Sequence, residues 1–119
     1  MFGRHRIFAL LAAALLVAGC SPHPGSGHWA AAGGGAEFER LQVHFKGWAD
    51  LYRPDEDESA YHCFWSAHSE RTIALSCTPA DNPDAEVHFR LKVAEGGRAS
   101  LTRGDELVGH YRRQAPPTQ

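Results

Sequence analysis

Alternation of apolar and polar residues is the feature of this 119-residue chain that most narrows its choice of fold. It is clearest where Val87, Phe89, Leu91 and Val93 alternate with polar residues. A period of two places apolar side chains on one face of a β-strand and polar side chains on the other. Two further stretches, 61–66 and 72–77, show the same pattern, and two more segments that follow turns, 99–102 and 107–111, are also predicted to be strands. The chain is therefore predicted to be built from half-buried strands.

Turn-forming residues separate these stretches at distances typical of β-hairpins. The separating segments are the acidic loop around 55–58, the polar turn 68–71, the Pro- and Asp-rich loop 78–85, Gly96-Gly97 and Gly104-Asp105. Antiparallel strands joined in this way hide their edges by closing into a small barrel or a sandwich. The sequence thus predicts an all-β fold, a small antiparallel meander of five to seven strands.

Residues 37–52 fit two periods at once. In the strand interpretation, alternate apolar residues share an inward face: Leu41, Val43 and Phe45. In the helix interpretation, a stripe with a period of 3.6 residues forms instead: Phe38, Leu41, Phe45, Trp48, Ala49 and Tyr52. The many residues with high strand propensity favour strands, with Gly47 as a bulge or turn. A helix over 37–46 remains the alternative.

The N-terminus has the three regions of a secretory signal. Arg4, His5 and Arg6 precede an apolar run of eleven residues, Ile7 to Val17, and two small residues follow it. A helix of that length spans about 17 Å, which is too short for a hydrocarbon layer of about 30 Å. We therefore expect residues 1–19 to be a signal peptide rather than a transmembrane helix.

The tetrapeptide Val17-Ala18-Gly19-Cys20 resembles the lipobox of bacterial lipoprotein precursors. In that family a peptidase cuts before the cysteine once its sulfur is lipidated, so the resemblance implies that Cys20 becomes an N-terminus carrying palmitate or similar acyl chains. More than one acyl chain gives stable membrane anchoring. Ser21 is similar to the second mature residue of members sorted to the outer membrane. The resemblance therefore implies an outer-membrane lipoprotein that faces the periplasm, with the inner membrane as the alternative.

Composition divides the part after the signal peptide into three segments. Residues 20–36 are rich in Gly, Pro, Ser and Ala and are predicted to form a flexible tether, in which Trp29 contacts lipid or the domain surface, with a place in a core as the alternative. Such a segment reaches about 20 to 24 Å. Residues 37–113 are predicted to form the β domain, and residues 114–119 a disordered tail.

The number of cysteines agrees with export to an oxidising compartment. Lipidation of Cys20 would leave two cysteines, and Cys63 and Cys77 lie on the apolar faces of neighbouring predicted strands. We therefore expect one disulfide between Cys63 and Cys77, which closes a loop of about 15 residues and stabilises the fold by about 3 kcal/mol.

Charge and motifs exclude several classes of function. Loss of Arg4 and Arg6 with the signal peptide leaves ten basic and fourteen acidic residues, a net charge of −4 that does not suit nucleic acid. The histidines lack the spacing of metal ligands, so neither a metal nor a cofactor is expected. No nucleophile elbow, phosphate loop or catalytic carboxylate pair is evident, and we expect the protein not to be an enzyme. The run of four acids, Asp55 to Glu58, is expected to be a solvated face or to contact a cationic partner.

Surface recognition is the class of function that remains. Under the strand interpretation Trp48, Tyr52 and Phe64 point away from the core, and exposed aromatic residues are frequent anchors of protein interfaces. They are therefore the candidate binding residues for a protein partner, and the alternative is that they cover a second sheet or close a barrel. The first hypothesis is an anchored inhibitor or immunity protein that neutralises an exported enzyme or toxin. The alternative is an accessory lipoprotein of an outer-membrane or secretion assembly.

Tyr61-His62-Cys63 and the strand after Gly97 resemble, in a general way, the lysozyme-inhibitor lipoproteins. This chain has no Ser- and Gly-rich inhibitory loop. The second cysteine of its predicted β domain, Cys77, comes earlier in the chain than in that family. The inhibitory residues of that family are therefore not carried over to this sequence.

Overall fold

The computed structural model describes residues 22–115, which form a closed barrel of eight antiparallel strands. Each strand pairs with the next one along the chain, and β8 pairs with β1 to complete the ring. The strands are β1 (Gly27–Ala31), β2 (Arg40–Val43), β3 (Trp48–Tyr52), β4 (Tyr61–Ala67), β5 (Thr72–Pro79), β6 (Val87–Ala94), β7 (Arg98–Arg103) and β8 (Glu106–Gln114). This confirms the all-β antiparallel fold and selects a barrel over a sandwich. The predicted number of five to seven strands is too low.

Strand β1 explains why the predicted number of strands is too low, because it lies inside the segment predicted to be a tether. Trp29 at its centre is only 1% exposed, and its indole Nε1 donates a hydrogen bond to the Gly25 carbonyl at 3.0 Å. The Arg113 guanidinium lies 4.4 Å from the indole centroid. The barrel therefore begins before residue 37, and Trp29 is a core residue. Residues 1–21 and 116–119, with the predicted signal peptide and most of the predicted tail, lie outside the described part.

Residues 37–52 form strands β2 and β3, so the alternative of a helix over 37–46 is wrong. The alternation ends at Val43 because the chain turns there: the Gly47 amide donates to the His44 carbonyl at 3.1 Å. Gly47 has a φ of 113°, a conformation that favours glycine at the turn. Phe45 lies on this turn and is 71% exposed, which corrects its predicted place in the core.

The barrel interior is filled by side chains, as expected for eight strands. Phe38, Tyr61 and Phe89 pack edge to face, with ring centroids between 5.4 and 5.8 Å apart. The Tyr111 hydroxyl donates a buried hydrogen bond to the Phe38 carbonyl at 2.8 Å. Burial raises the pKa of Tyr111 above its ordinary value, and the charge of Glu37 adds to that rise. Tyr111 therefore enters the core as a neutral hydrogen-bond donor.

Cys63 on β4 and Cys77 on β5 form a disulfide across the hairpin, which confirms the predicted pair. The two residues are directly opposite in the strand register, with Cα atoms 4.0 Å apart, and both are fully buried. Each cysteine lies an even number of positions from the buried apolar residues of its strand, so it faces inward with them.

The meander divides the connections between two ends of the barrel. We call the end that carries residues 22–26 the entry end; it also holds the turns 44–47, 68–71 and 95–97. The far end holds the connections 32–39, 53–60, 80–86 and 104–105. Within residues 22–115 there is no helix long and apolar enough to cross a membrane.

Candidate binding surface

The outer wall of strands β3 and β4 carries a cluster of aromatic and histidine side chains. Trp48 is the register partner of Phe64, and Asp50 is the partner of His62 on the same outward face. His44, in the turn before β3, lies beside this group. We call these five residues the aromatic patch: His44, Trp48, Asp50, His62 and Phe64.

Two ring contacts organise the aromatic patch. The His44 and Trp48 rings lie 4.9 Å apart at an angle of 30°, and the His62 and Phe64 rings lie 5.8 Å apart at 77°. Phe64 is 68% exposed, and Trp48 is half-buried. Large rings held on a rigid wall offer contact area with little loss of side-chain entropy on binding. The aromatic patch is thus suited to being buried against the surface of a protein partner.

Asp50 lies close to both histidines of the aromatic patch and is within hydrogen-bond distance of one. Its Oδ1 lies 2.9 Å from His62 Nδ1, and its Oδ2 lies 4.0 Å from His44 Nε2. Asp50 is the least exposed of the three side chains. The contact with Asp50 therefore orients the His62 ring and leaves its second nitrogen available to a ligand.

Tyr52 does not join the aromatic patch, although it shares the outward face of β3. Tyr52 follows Trp48 by four positions along the strand, a distance of about 13 Å. The Arg40 guanidinium lies 3.8 Å from the Tyr52 ring centroid. Burial raises the pKa of Tyr52, the charge of Asp50 adds to the rise, and the charge of Arg40 opposes it. The structure therefore brings together two of the three predicted binding residues, Trp48 and Phe64.

Sequence reasoning missed the polar members of the aromatic patch. His62 lies two positions from Phe64, and Asp50 lies two positions from Trp48, so the alternation of a strand predicts that both face outward. Their meeting depends on the register between β3 and β4, which is set across the loop 53–60 and which parity alone does not determine.

A second charged cluster, at the far end of the barrel, is built around Arg103. Its guanidinium contacts Glu37 at 3.1 Å and Glu106 at 2.6 Å, and these hydrogen bonds raise the pKa of Arg103. The same group lies 5.6 Å from the Phe89 ring centroid. The cluster links the connection before β2 to the hairpin of β7 and β8, so we interpret it as a structural contact.

No metal centre is formed by the described residues. Between residues 22 and 115, no three side chains of His, Cys, Asp or Glu are grouped so that they could hold a metal ion. In the aromatic patch, His44 and His62 each lie near the carboxylate of Asp50, and each also contacts an aromatic ring.

Neither a family model, nor a curated protein, nor a solved structure matches this chain. The chemistry of its own surface is therefore the basis for a functional assignment.

Proposed function

We propose that this chain is a lipid-anchored protein of the bacterial envelope whose barrel binds a protein partner through the aromatic patch. The main observation in support of this proposal is that Trp48 and Phe64 lie opposite each other on the outer wall of the barrel, with a histidine beside each. Aromatic anchors beside satisfied polar groups are typical of the energetic centres of protein interfaces. The lipobox-like residues 17–20 supply the anchor through Cys20.

A non-enzymatic role fits the way in which the barrel uses its interior. Side chains such as Trp29, Phe38 and Phe89 fill it, so recognition falls to the outer wall. The first candidate is an inhibitor or immunity protein that covers an exported enzyme or toxin. The second is an accessory lipoprotein of an envelope assembly. Since the eight strands close on themselves, neither role would use a free strand edge among the described residues.

Truncation of the aromatic patch should weaken partner binding. We expect Trp48→Ala with Phe64→Ala to reduce binding at least about tenfold, because truncation of anchor residues typically costs about 2 kcal/mol or more. The measurement uses the domain of residues 21–119 as bait in a periplasmic extract, followed by titration of the captured protein. Leu107→Ala is the matched control, because Leu107 is 53% exposed at the far end, outside the patch.

The identity of the captured protein separates the two candidate roles. A soluble hydrolase or toxin whose activity falls on binding supports the inhibitor, whereas integral envelope subunits support the accessory role. Equal capture by the wild-type protein and the double variant would contradict the assignment of the aromatic patch.

The anchor is tested by Cys20→Ser in the full chain. We expect this variant to incorporate no palmitate and to retain the 19 residues that precede Cys20, because the sulfur is the acceptor and lipidation precedes cleavage. Acyl labelling and the mass of the mature N-terminus measure both properties. A Cys20→Ser protein that is still acylated and still cleaved before residue 20 would refute the anchor.

A further inference from the structure

Residues 23–26 are fixed to the barrel by hydrogen bonds and a ring contact. His23 Nε2 lies 2.8 Å from the Ser69 carbonyl oxygen, and the His23 ring lies 6.0 Å from the Trp65 ring. The Arg113 guanidinium donates hydrogen bonds to the carbonyls of Pro24 and Ser26. Residues 23–26 are therefore part of the folded domain rather than part of a tether.

This attachment shortens the link between the barrel and Cys20. His23 follows Cys20 by three positions in the chain, a distance of at most about 11 Å in any conformation. The predicted tether would have reached about twice as far. On an anchored protein, the entry end of the barrel is therefore confined to the immediate neighbourhood of the lipid headgroups.

Basic residues gather at this confined end. Six lie in its turns or in the adjoining strand ends: Lys46, Arg71, Lys92, Arg98, Arg112 and Arg113. Only Glu70 and Glu95 accompany them. Within residues 22–115, no carboxylate forms an ion pair with Lys46, Lys92, Arg98 or Arg112. The entry end therefore presents uncompensated positive charge.

The far end carries the opposite charge. Eleven of the fourteen acidic residues lie in its connections or next to them: Glu37, Glu39, Asp55, Glu56, Asp57, Glu58, Asp81, Asp84, Glu86, Asp105 and Glu106. Charge is thus separated along the barrel axis. A negatively charged surface would attract the entry end and repel the far end, so it would orient the domain.

Phe45 adds an apolar contact to the positive end. It lies at the tip of the turn 44–47, where it is 71% exposed, and Lys46 Nζ lies 5.9 Å from its ring centroid. An exposed ring beside a cation suits the boundary between headgroups and acyl chains, since the ring enters the apolar layer while the ammonium stays at the phosphates. We call Phe45, Lys46, Lys92, Arg98 and Arg112 the entry face.

We propose that the entry face docks on the anionic phospholipid headgroups of the membrane that holds the Cys20 anchor. This inference deepens the proposed function and rests on its anchor. Docking would direct the acidic far end away from the bilayer and would place the aromatic patch beside the bilayer surface, because His44 lies in the same turn as Phe45 and Lys46.

The test uses the domain of residues 21–119, which lacks both the signal peptide and Cys20. All eight strands, the core and the disulfide lie within residues 22–115, so this part contains the complete fold. We expect at least about tenfold tighter binding to phosphatidylcholine vesicles with about 30 mol% phosphatidylglycerol than to phosphatidylcholine alone. Raising the salt from about 0.05 to about 0.5 M should remove the difference, because it screens the charges.

Two variants with the same net charge separate the entry face from charge in general. Lys46→Glu with Arg112→Glu should reduce binding to the anionic vesicles at least about tenfold. Arg53→Glu with Arg90→Glu should change it less than about twofold, because Arg53 lies in a far-end connection and Arg90 on the wall. An equal loss in both pairs would overturn the assignment of this face.

Orientation is read from an environment-sensitive fluorophore on a single introduced thiol. A probe at Phe45→Cys should shift to shorter wavelength on anionic vesicles, whereas a probe at Asp57→Cys should not. Equal shifts, or a shift at position 57 alone, would overturn the proposal.

The failures of the two proposals differ. Absence of phosphatidylglycerol-dependent binding, with acylation of Cys20 intact, would refute the docking and leave the anchor standing. If the isolated domain bound anionic vesicles but Cys20 of the full chain were not acylated, the anchor would be refuted and the lipid-binding face would stand.

Discussion

Replacing Trp29 with alanine should lower the free energy of unfolding by about 3 to 5 kcal/mol, the usual cost of truncating a fully buried indole. The indole is 1% exposed, and the substitution also leaves the Gly25 carbonyl without its donor. The Arg113 guanidinium would lose the ring that it covers. Urea unfolding of residues 21–119, followed by far-UV circular dichroism, measures the effect.

Trp48→Ala is the matched control for this experiment. Trp48 is half-buried on the outer wall, opposite Phe64 in the strand register, so its truncation should cost less than about 1 kcal/mol. If Trp29→Ala were no more destabilising than Trp48→Ala, residues 27–31 would not be the strand that closes the barrel.

Removal of the disulfide is the second large expected effect. We expect Cys63→Ala with Cys77→Ala to destabilise the domain by about 3 kcal/mol, because the closed loop no longer restricts the unfolded chain. The separation of 14 residues sets this magnitude. Alanine avoids placing a hydroxyl in the core, where both cysteines are fully buried.

Reductant supplies the control for the disulfide. It should destabilise the wild-type domain in urea by the same amount and leave the double alanine variant unchanged. Since both sulfur-bearing residues are buried, a thiol reagent should not label the native protein. Labelling of both cysteines under native conditions would contradict the pairing.

The alternation of apolar and polar residues predicted those strands that pair only with the preceding and following strands of the chain. Residues 87–93 became β6, and the cysteines of β4 and β5 meet as their parity requires. Strand β1 was missed because it contains one large apolar residue, Trp29, between small ones. Its conformation is decided by pairing with β8, more than 80 residues away, and no local period reports such a contact.

The candidate site shows the same division. Trp48 and Phe64 were recognisable as outward residues from the alternation of their strands, whereas their place opposite each other, and the pairing of Asp50 with His62, depend on strand register. Phe45 followed the alternation of β2 and was placed in the core, but the turn after Val43 carries it outside. A short alternating run does not reveal where the strand ends.

The pairing of β1 with β8 also has a consequence for the order of folding. The first and last strands of the domain share hydrogen bonds, with Trp29 opposite Arg113 in the register. The hairpins of β2 to β7 can form one after another as the chain is made, but the ring stays open until β8 is available to pair with β1. Until then β1 has only one neighbour, so closure of the barrel must follow synthesis of β8.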